Sequence, residues 1–231
     1  GSEDDWVGKE VIINPSLDWG DDPRVQGDDF TILGLPRPGT FAEYVTVPVQ
    51  NLALKPPHLS PEQAAALPLA GVTAWRALMT RGAMQAGERV LISGIGGGVA
   101  LFALQFALAG GAEVYVTSGS EDKIARAIEL GAKGGVLYSE AGWRKKLSAE
   151  VPGGFDVIVD GAGGEGFGEL ARLLGPAGRL AFYGGTCGKW PAILPQHLFF
   201  RQVAILASTM GSPEDFTAMV AFVAEHELVP V

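Results

Sequence analysis

Cysteine is nearly absent from this chain: Cys187 stands alone among 231 residues. One thiol cannot close an intramolecular disulfide or supply a four-cysteine zinc site. Basic blocks are missing too. The net charge is −9, and lysine and arginine are nowhere concentrated. Nucleic acid and anionic membrane surfaces are therefore not expected partners. The longest apolar run, 99–109, contains Gln105 and is too short to cross a bilayer. No secretory leader is visible, so a cytoplasmic location is the expectation. Glycine, by contrast, is plentiful at 33 residues, which suits many tight turns between short elements. An apolar fraction of 47% against 19% charged is that of a globular enzyme with a full core.

The densest information lies in 88–123, ERVLISGIGGGVALFALQFALAGGAEVYVTSGSEDK. It reads as a buried strand, a glycine turn, an apolar helix, a second strand and a polar loop. Gly94, Gly96, Gly97 and Gly98 form the turn, and Val99 continues into the helix. A turn without side chains lets a backbone approach a pyrophosphate, and the N–H groups of the new helix face its charge. That is the physics of dinucleotide binding. The G-x-G-x-x-G spacing is imperfect, since the third small residue, Ala100, comes one position late. The second strand ends in Thr117 and Ser118, with Lys123 beyond.

Elements alternate regularly from residue 89 onward. Strands are expected at 89–93, 113–117, 135–138, 155–160, 178–183 and 203–208. Helices are expected at 98–110, 121–130, 141–148, 165–174, near 195–201, and at 213–226. This pattern specifies an α/β fold, a doubly wound parallel six-stranded Rossmann sheet. Residues 1–57 differ: extended segments at 11–13 and 41–47, several prolines, and a polar loop at 16–31 suggest part of a β domain. Ser60-Pro61-Glu62-Gln63 reads as a capped helix start, with helices over 61–66 and 71–81. Ser120 is expected to cap the helix at 121.

With these motifs in place, the chain resembles the medium-chain dehydrogenase/reductase superfamily, in its zinc-independent, quinone-oxidoreductase-like branch. The likeness rests on GTFAEYVTVP (39–48), AAALPLAGVTAWRAL (64–78), VLISGIGGGVALFALQFA (90–107), SEDKIARAIELGAKGGVLY (120–138) and FDVIVDGAGG (155–164). The resemblance implies a partial GroES-like catalytic domain over 1–57 and a dinucleotide-binding domain over 58–231. It also implies further catalytic-domain segments on either side of the chain. Zinc-dependent relatives carry a cysteine at the position of Leu69, and leucine has no lone pair to give. No metal site is expected.

The resemblance implies cofactor roles for further residues. In NAD-binding members an acid stands at the position of Ser118, where it would repel a 2′-phosphate. Lys123 and Tyr138 match positions that bind that phosphate in NADPH-dependent enone reductases, so NADP is the expected cofactor. Glu121 and Asp122 weigh against it. Thr73 matches a threonine that lies against the nicotinamide; a bond to its own helix backbone is the alternative. Tyr183 and Gly184, and then Ser208, Thr209 and Met210, end the fifth and sixth strands on the nicotinamide side, where turn chemistry alone would also account for them. The catalytic candidates are Thr73 and Tyr44, hydrogen-bond donors for the oxygen of a quinone or an α,β-unsaturated carbonyl; strand packing is the alternative for Tyr44. A zinc-type alcohol dehydrogenase and a non-catalytic, dimerising nucleotide-binding fragment are the competing functions. A homodimer is expected through the sixth strand, with Ala204 as the residue whose N–H would face the partner.

Overall fold

The computed structural model describes residues 3–231, and its contacts divide the chain into two compact units. The first comprises the residues up to Val72 together with Met210–Val231; the second is Thr73–Thr209. The boundary expected at 57/58 thus falls inside the first unit.

The first unit opens with β1 (Val11–Ile13), β2 (Ser16–Leu17), β3 (Thr31–Leu33), β4 (Pro36–Arg37) and β5 (Leu52–Leu54). β1 pairs antiparallel with β5, while β2, β3 and β4 form a second small sheet. The buried Asn51 side chain donates to the carbonyls of Asn14 and Ser16 at 3.1 and 2.8 Å, which fixes the chain between β1 and β2. Trp19 is buried edge-on against Phe30, with centroids 5.4 Å apart. Helix α1 (Pro61–Ala66) starts on the expected capping box, where Ser60 and Gln63 satisfy each other's amides. The segment 41–47 bends at 42–43 and joins no ladder among the described residues, and Phe41 and Tyr44 are exposed. The expectation of packed strand residues there is therefore corrected: an extended run becomes a strand only where a neighbour takes up its N–H and C=O groups.

Helix α2 (Pro68–Trp75) runs into a wide π turn over Arg76–Arg81, closed by the Gly82 amide on the Ala77 carbonyl at 2.9 Å. The sheet of the second unit follows. It consists of β6 (Arg89–Ile92), β7 (Glu113–Ser118), β8 (Gly134–Leu137), β9 (Phe155–Asp160), β10 (Leu174–Phe182) and β11 (Ala204–Ala207). The connecting helices are α3 (Gly98–Ala109), α4 (Glu121–Glu129), α5 (Trp143–Glu150), α6 (Phe167–Leu173) and α7 (Gln196–Phe199); α8 (Pro213–Glu225) belongs to the first unit.

All six strands are parallel, in the order β11-β10-β9-β6-β7-β8. Chain direction across the sheet reverses between β6 and β9, and ligands of such sheets bind at that reversal, beyond the carboxyl ends of the strands. Leu91, Ile158, Phe155, Phe167 and Leu180 are fully buried on one side of the sheet, and Phe106 and Leu104 of α3 are equally buried. Removing a side chain such as Phe155 costs about 3–5 kcal/mol by this kind of burial. α6 ends at Leu173, where Leu174 turns extended ahead of Gly175-Pro176. The freed Leu174 already pairs with Phe155, so β10 starts earlier than expected.

Arg89 ties β6 to β9 at the opposite end of the sheet. Its amide, Nε and Nη2 donate to the Asp156 carboxylate at 2.9, 3.0 and 3.0 Å. Burial pushes the Asp156 carboxyl up, but hydrogen bonds and charge from Arg89, with the charge of Arg179, outweigh it and hold it below its ordinary value. A depressed value in the folded state stabilises the fold above the unfolded value, and the gain is lost as pH falls through the folded one. Asp156→Asn is therefore expected to lower stability at neutral pH and to flatten the loss between about pH 5 and pH 3, measured by urea melts across that range.

Candidate functional site

The glycine turn leaves β6 at the sheet reversal and is tied to β7 by two bonds. The Ile95 amide donates to the Thr117 carbonyl at 2.8 Å, and the Gly94 amide donates to Thr117 Oγ1 at 3.2 Å. Gly96 has φ +118°, a region that strains any other residue, and a Cβ there would lie 2.6 Å from Lys123 Cδ. Lys123 thus lies across the turn, and its Nζ has no acceptor among the described residues. A Cβ at Gly94 or Gly97 would meet nothing within 4 Å, so the backbone there faces open space. Gly97 is the N-cap of α3 and brings no side chain to its first amides, those of Gly98, Val99 and Ala100. A pyrophosphate fits such a cradle.

Ser118, Lys123 and Tyr138 come together around this turn. Ser118 is 2% exposed and holds the loop from within. Its Oγ donates to the Ile95 carbonyl at 3.4 Å and accepts from the Ser120 amide at 3.2 Å. Ser120 occupies the cap position of α4 with extended backbone, but its side chain makes no cap bond, so the expected side-chain cap is absent. The Tyr138 amide donates to the Ser118 carbonyl at 3.0 Å, and its ring lies against Gly119. Glu121 and Asp122 occupy the first turn of α4, where the helix dipole favours acids.

On the other side of the reversal, Asp160 ends β9 and is 1% exposed. It accepts from Ser93 Oγ and from the amides of Ala162 and Gly163, the latter at 2.8 Å. Ser93, Gly94, Thr117, Tyr138, Trp143 and Asp160 are among the residues lining a cavity of about 500 Å³ at the carboxyl ends of β6, β7 and β9. Ser93, Trp143 and Asp160 are additions of the structure. The available signal was an acid closing the apolar strand FDVIVD, which stood only as part of a family likeness.

Tyr183 follows β10, its amide on the Asp160 carbonyl at 3.0 Å and its ring against Gly161. Gly184 also packs on Gly161. Burial, followed by the Asp160 charge, pushes the Tyr183 phenol up to about 12, so it stays a neutral donor. Ser208 donates its amide to Phe182 at 2.9 Å while its buried hydroxyl finds no partner; Thr209 closes the second unit. Met210 and Tyr44 belong to the first unit, and Tyr44 is 91% exposed. Thr73 opens the second unit and is 7% exposed. Among the described residues no three His, Cys, Asp or Glu side chains gather as a metal site would require.

A family model described as zinc-binding dehydrogenase matches residues 98–225. The zinc-type alcohol dehydrogenase-like protein YogA of Leptosphaeria maculans is 37% identical over 240 residues, covering 97% of this chain and 66% of that protein. Quinone oxidoreductase-like protein 2 of Bos taurus is 33% identical, over 84% of this chain and 56% of its own length. A crystal structure titled NAD-dependent alcohol dehydrogenase superposes with a TM-score of 0.89 at 39% identity, over 97% of this chain and 67% of that one. The chain thus spans 56 to 67% of the length of these relatives.

The burial of Tyr183 has a spectroscopic consequence. Its phenol is expected to ionise near pH 12 in an absorbance titration, and Tyr183→Phe should remove that phase. An unchanged titration would contradict the packing described.

Proposed function

Because this chain belongs to the zinc-binding dehydrogenases of the medium-chain dehydrogenase/reductase superfamily, in the quinone-oxidoreductase-like branch, we propose that it carries the cofactor site of an NADPH-dependent, metal-independent oxidoreductase. The observation that carries this reading is Lys123, laid across the glycine turn with an ammonium that has no acceptor among the described residues. No carboxylate stands at the end of β7, so a 2′-phosphate would meet a cation instead of repulsion, while the inward-turned Ser118 only keeps an acid from that position. The amides at the start of α3 would hold the pyrophosphate, and the cavity bounded by Ser93, Thr117 and Asp160 would take the neighbouring part of the dinucleotide.

Bound NADPH would supply a hydride. Charge then develops on the acceptor oxygen, and a quinone or conjugated carbonyl spreads that charge over several atoms. Such a substrate asks less of the protein than a simple ketone. Thr73 is the proposed donor against the nicotinamide half, with Tyr183, Gly184, Ser208 and Thr209 of the same unit shaping that end. Leu69 occupies the position of a zinc ligand with a side chain that cannot coordinate, which favours this reading over a zinc-type alcohol dehydrogenase. A cytoplasmic location accords with the single cysteine.

We also propose a homodimer through β11, the edge strand of the sheet. The Ser208 amide points at β10, so by alternation the N–H groups of Ala204 and Leu206 point inward as well. Ile205 and Ala207 therefore face the free edge, and the Ala207 carbonyl is met there by Arg81 Nε at 2.9 Å. The expectation for Ala204 is corrected accordingly: Ile205 carries the outward donor.

Two measurements check these readings. In fluorescence titrations NADPH should bind more tightly than NADH, and Lys123→Ala should weaken NADPH about tenfold while barely changing NADH. Equal or tighter NADH binding by the unaltered chain would overturn the assignment. In light scattering the chain should have a dimer mass, and Ile205→Pro should give a monomer. A monomer mass at micromolar concentration before any substitution would refute the dimer.

A further inference from the structure

Three guanidinium groups converge on a second cavity, of about 340 Å³, lined by Arg144, Arg172, Gln196, His197, Phe200 and Arg201. None of these six residues lines the cavity at Ser93 and Asp160. The arginines come from three places: Arg144 from α5, Arg172 from α6 and Arg201 just beyond α7. Glu169 is the one acid paired with them. It takes Arg144 Nε, and Arg172 Nη1 at 3.2 Å. Arg201 has no carboxylate partner among the described residues; its Nη1 donates to the carbonyls of Arg172 and Leu174 at 3.1 and 2.8 Å.

Much of the donor capacity is left over. Arg201 Nε and Nη2, Arg172 Nη2 and both terminal nitrogens of Arg144 have no acceptor among the described residues. His197 Nδ1 accepts from Arg172 Nε at 3.3 Å, which leaves the neutral ring's proton on Nε2 as a further donor. Three fixed cations face one carboxylate, in a chain whose net charge is −9. Like charges gather at a cost unless an anion answers them. Planar guanidinium forks offer paired N–H groups, the geometry that phosphate oxygens accept. Phe200, 78% exposed, adds an apolar ring to the wall.

We propose that this cavity is a binding site for a phosphorylated small molecule, its phosphate held by Arg172 and Arg201 and its organic part against Phe200. Inorganic pyrophosphate is the probe, titrated with the glycine turn saturated by NADPH, because that turn would hold pyrophosphate too. In calorimetric titrations of the full chain at low ionic strength, Arg201→Gln should weaken pyrophosphate about tenfold. Glu169→Gln, which removes the competing acid, should tighten it. Lys123→Ala should leave this binding unchanged, because Lys123 belongs to the glycine turn. Circular dichroism melts establish that each variant is folded, and Arg172→Gln replaces Arg201→Gln if the latter is not. Unchanged affinity in the arginine variants, or loss of binding in Lys123→Ala alone, would overturn the proposal. So would a change of molar mass in Arg201→Gln with pyrophosphate affinity retained, since the cavity would then hold a carboxylate from a second copy.

Discussion

The Ile95 amide donates to the Thr117 carbonyl, and with that bond the glycine turn is fastened to the neighbouring strand. The turn has no side chains of its own with which to hold itself, apart from the buried Ile95. Its shape is borrowed from β7, through Thr117 Oγ1 on Gly94 and Ser118 Oγ on the Ile95 carbonyl. Sheet register therefore fixes the position of the turn, and the turn fixes where the free amides of α3 point. Lys123 reaches the same spot from α4 because a glycine at 96 leaves room for its chain.

The second constraint is the buried Asp160. A carboxylate out of water must be met by donors, and here a hydroxyl and two amides meet it. Those bonds bind Ser93 on β6 to the loop after β9, so the two strands that flank the sheet reversal share one polar knot. Tyr183 closes it from β10 with a phenol that stays protonated beside the charge. The cavity is thus lined by the ends of β6, β7 and β9 together with residues of α5 and α6.

Much of this was legible from residue pattern. Alternating apolar runs and glycine or proline breaks located the six strands and their helices to within a few residues, because parallel strands buried on both faces must be apolar throughout. The capping box at Ser60 was equally plain. Other features were not. Phe41 and Tyr44 have strand composition, but pairing depends on a neighbour that composition cannot name. Ser118 read as a hydroxyl offered to a ligand, while its bonds turn it inward. Asp160 and Ser93 lie 67 residues apart and meet only through the order of strands. The arginines at 144, 172 and 201 are scattered singly along the chain, so only the packing of α5, α6 and α7 brings them to one cavity.

The central claim is that the turn at Gly94–Gly98 and the end of β7 form the seat of a dinucleotide. Hydrogen exchange of the backbone amides, with and without NADPH, tests it most directly. The account predicts slowed exchange at residues 94–101 and 117–123, with β1 and β5 unaffected. Exchange unchanged across both segments at saturating NADPH, or protection confined to other parts of the chain, would contradict it.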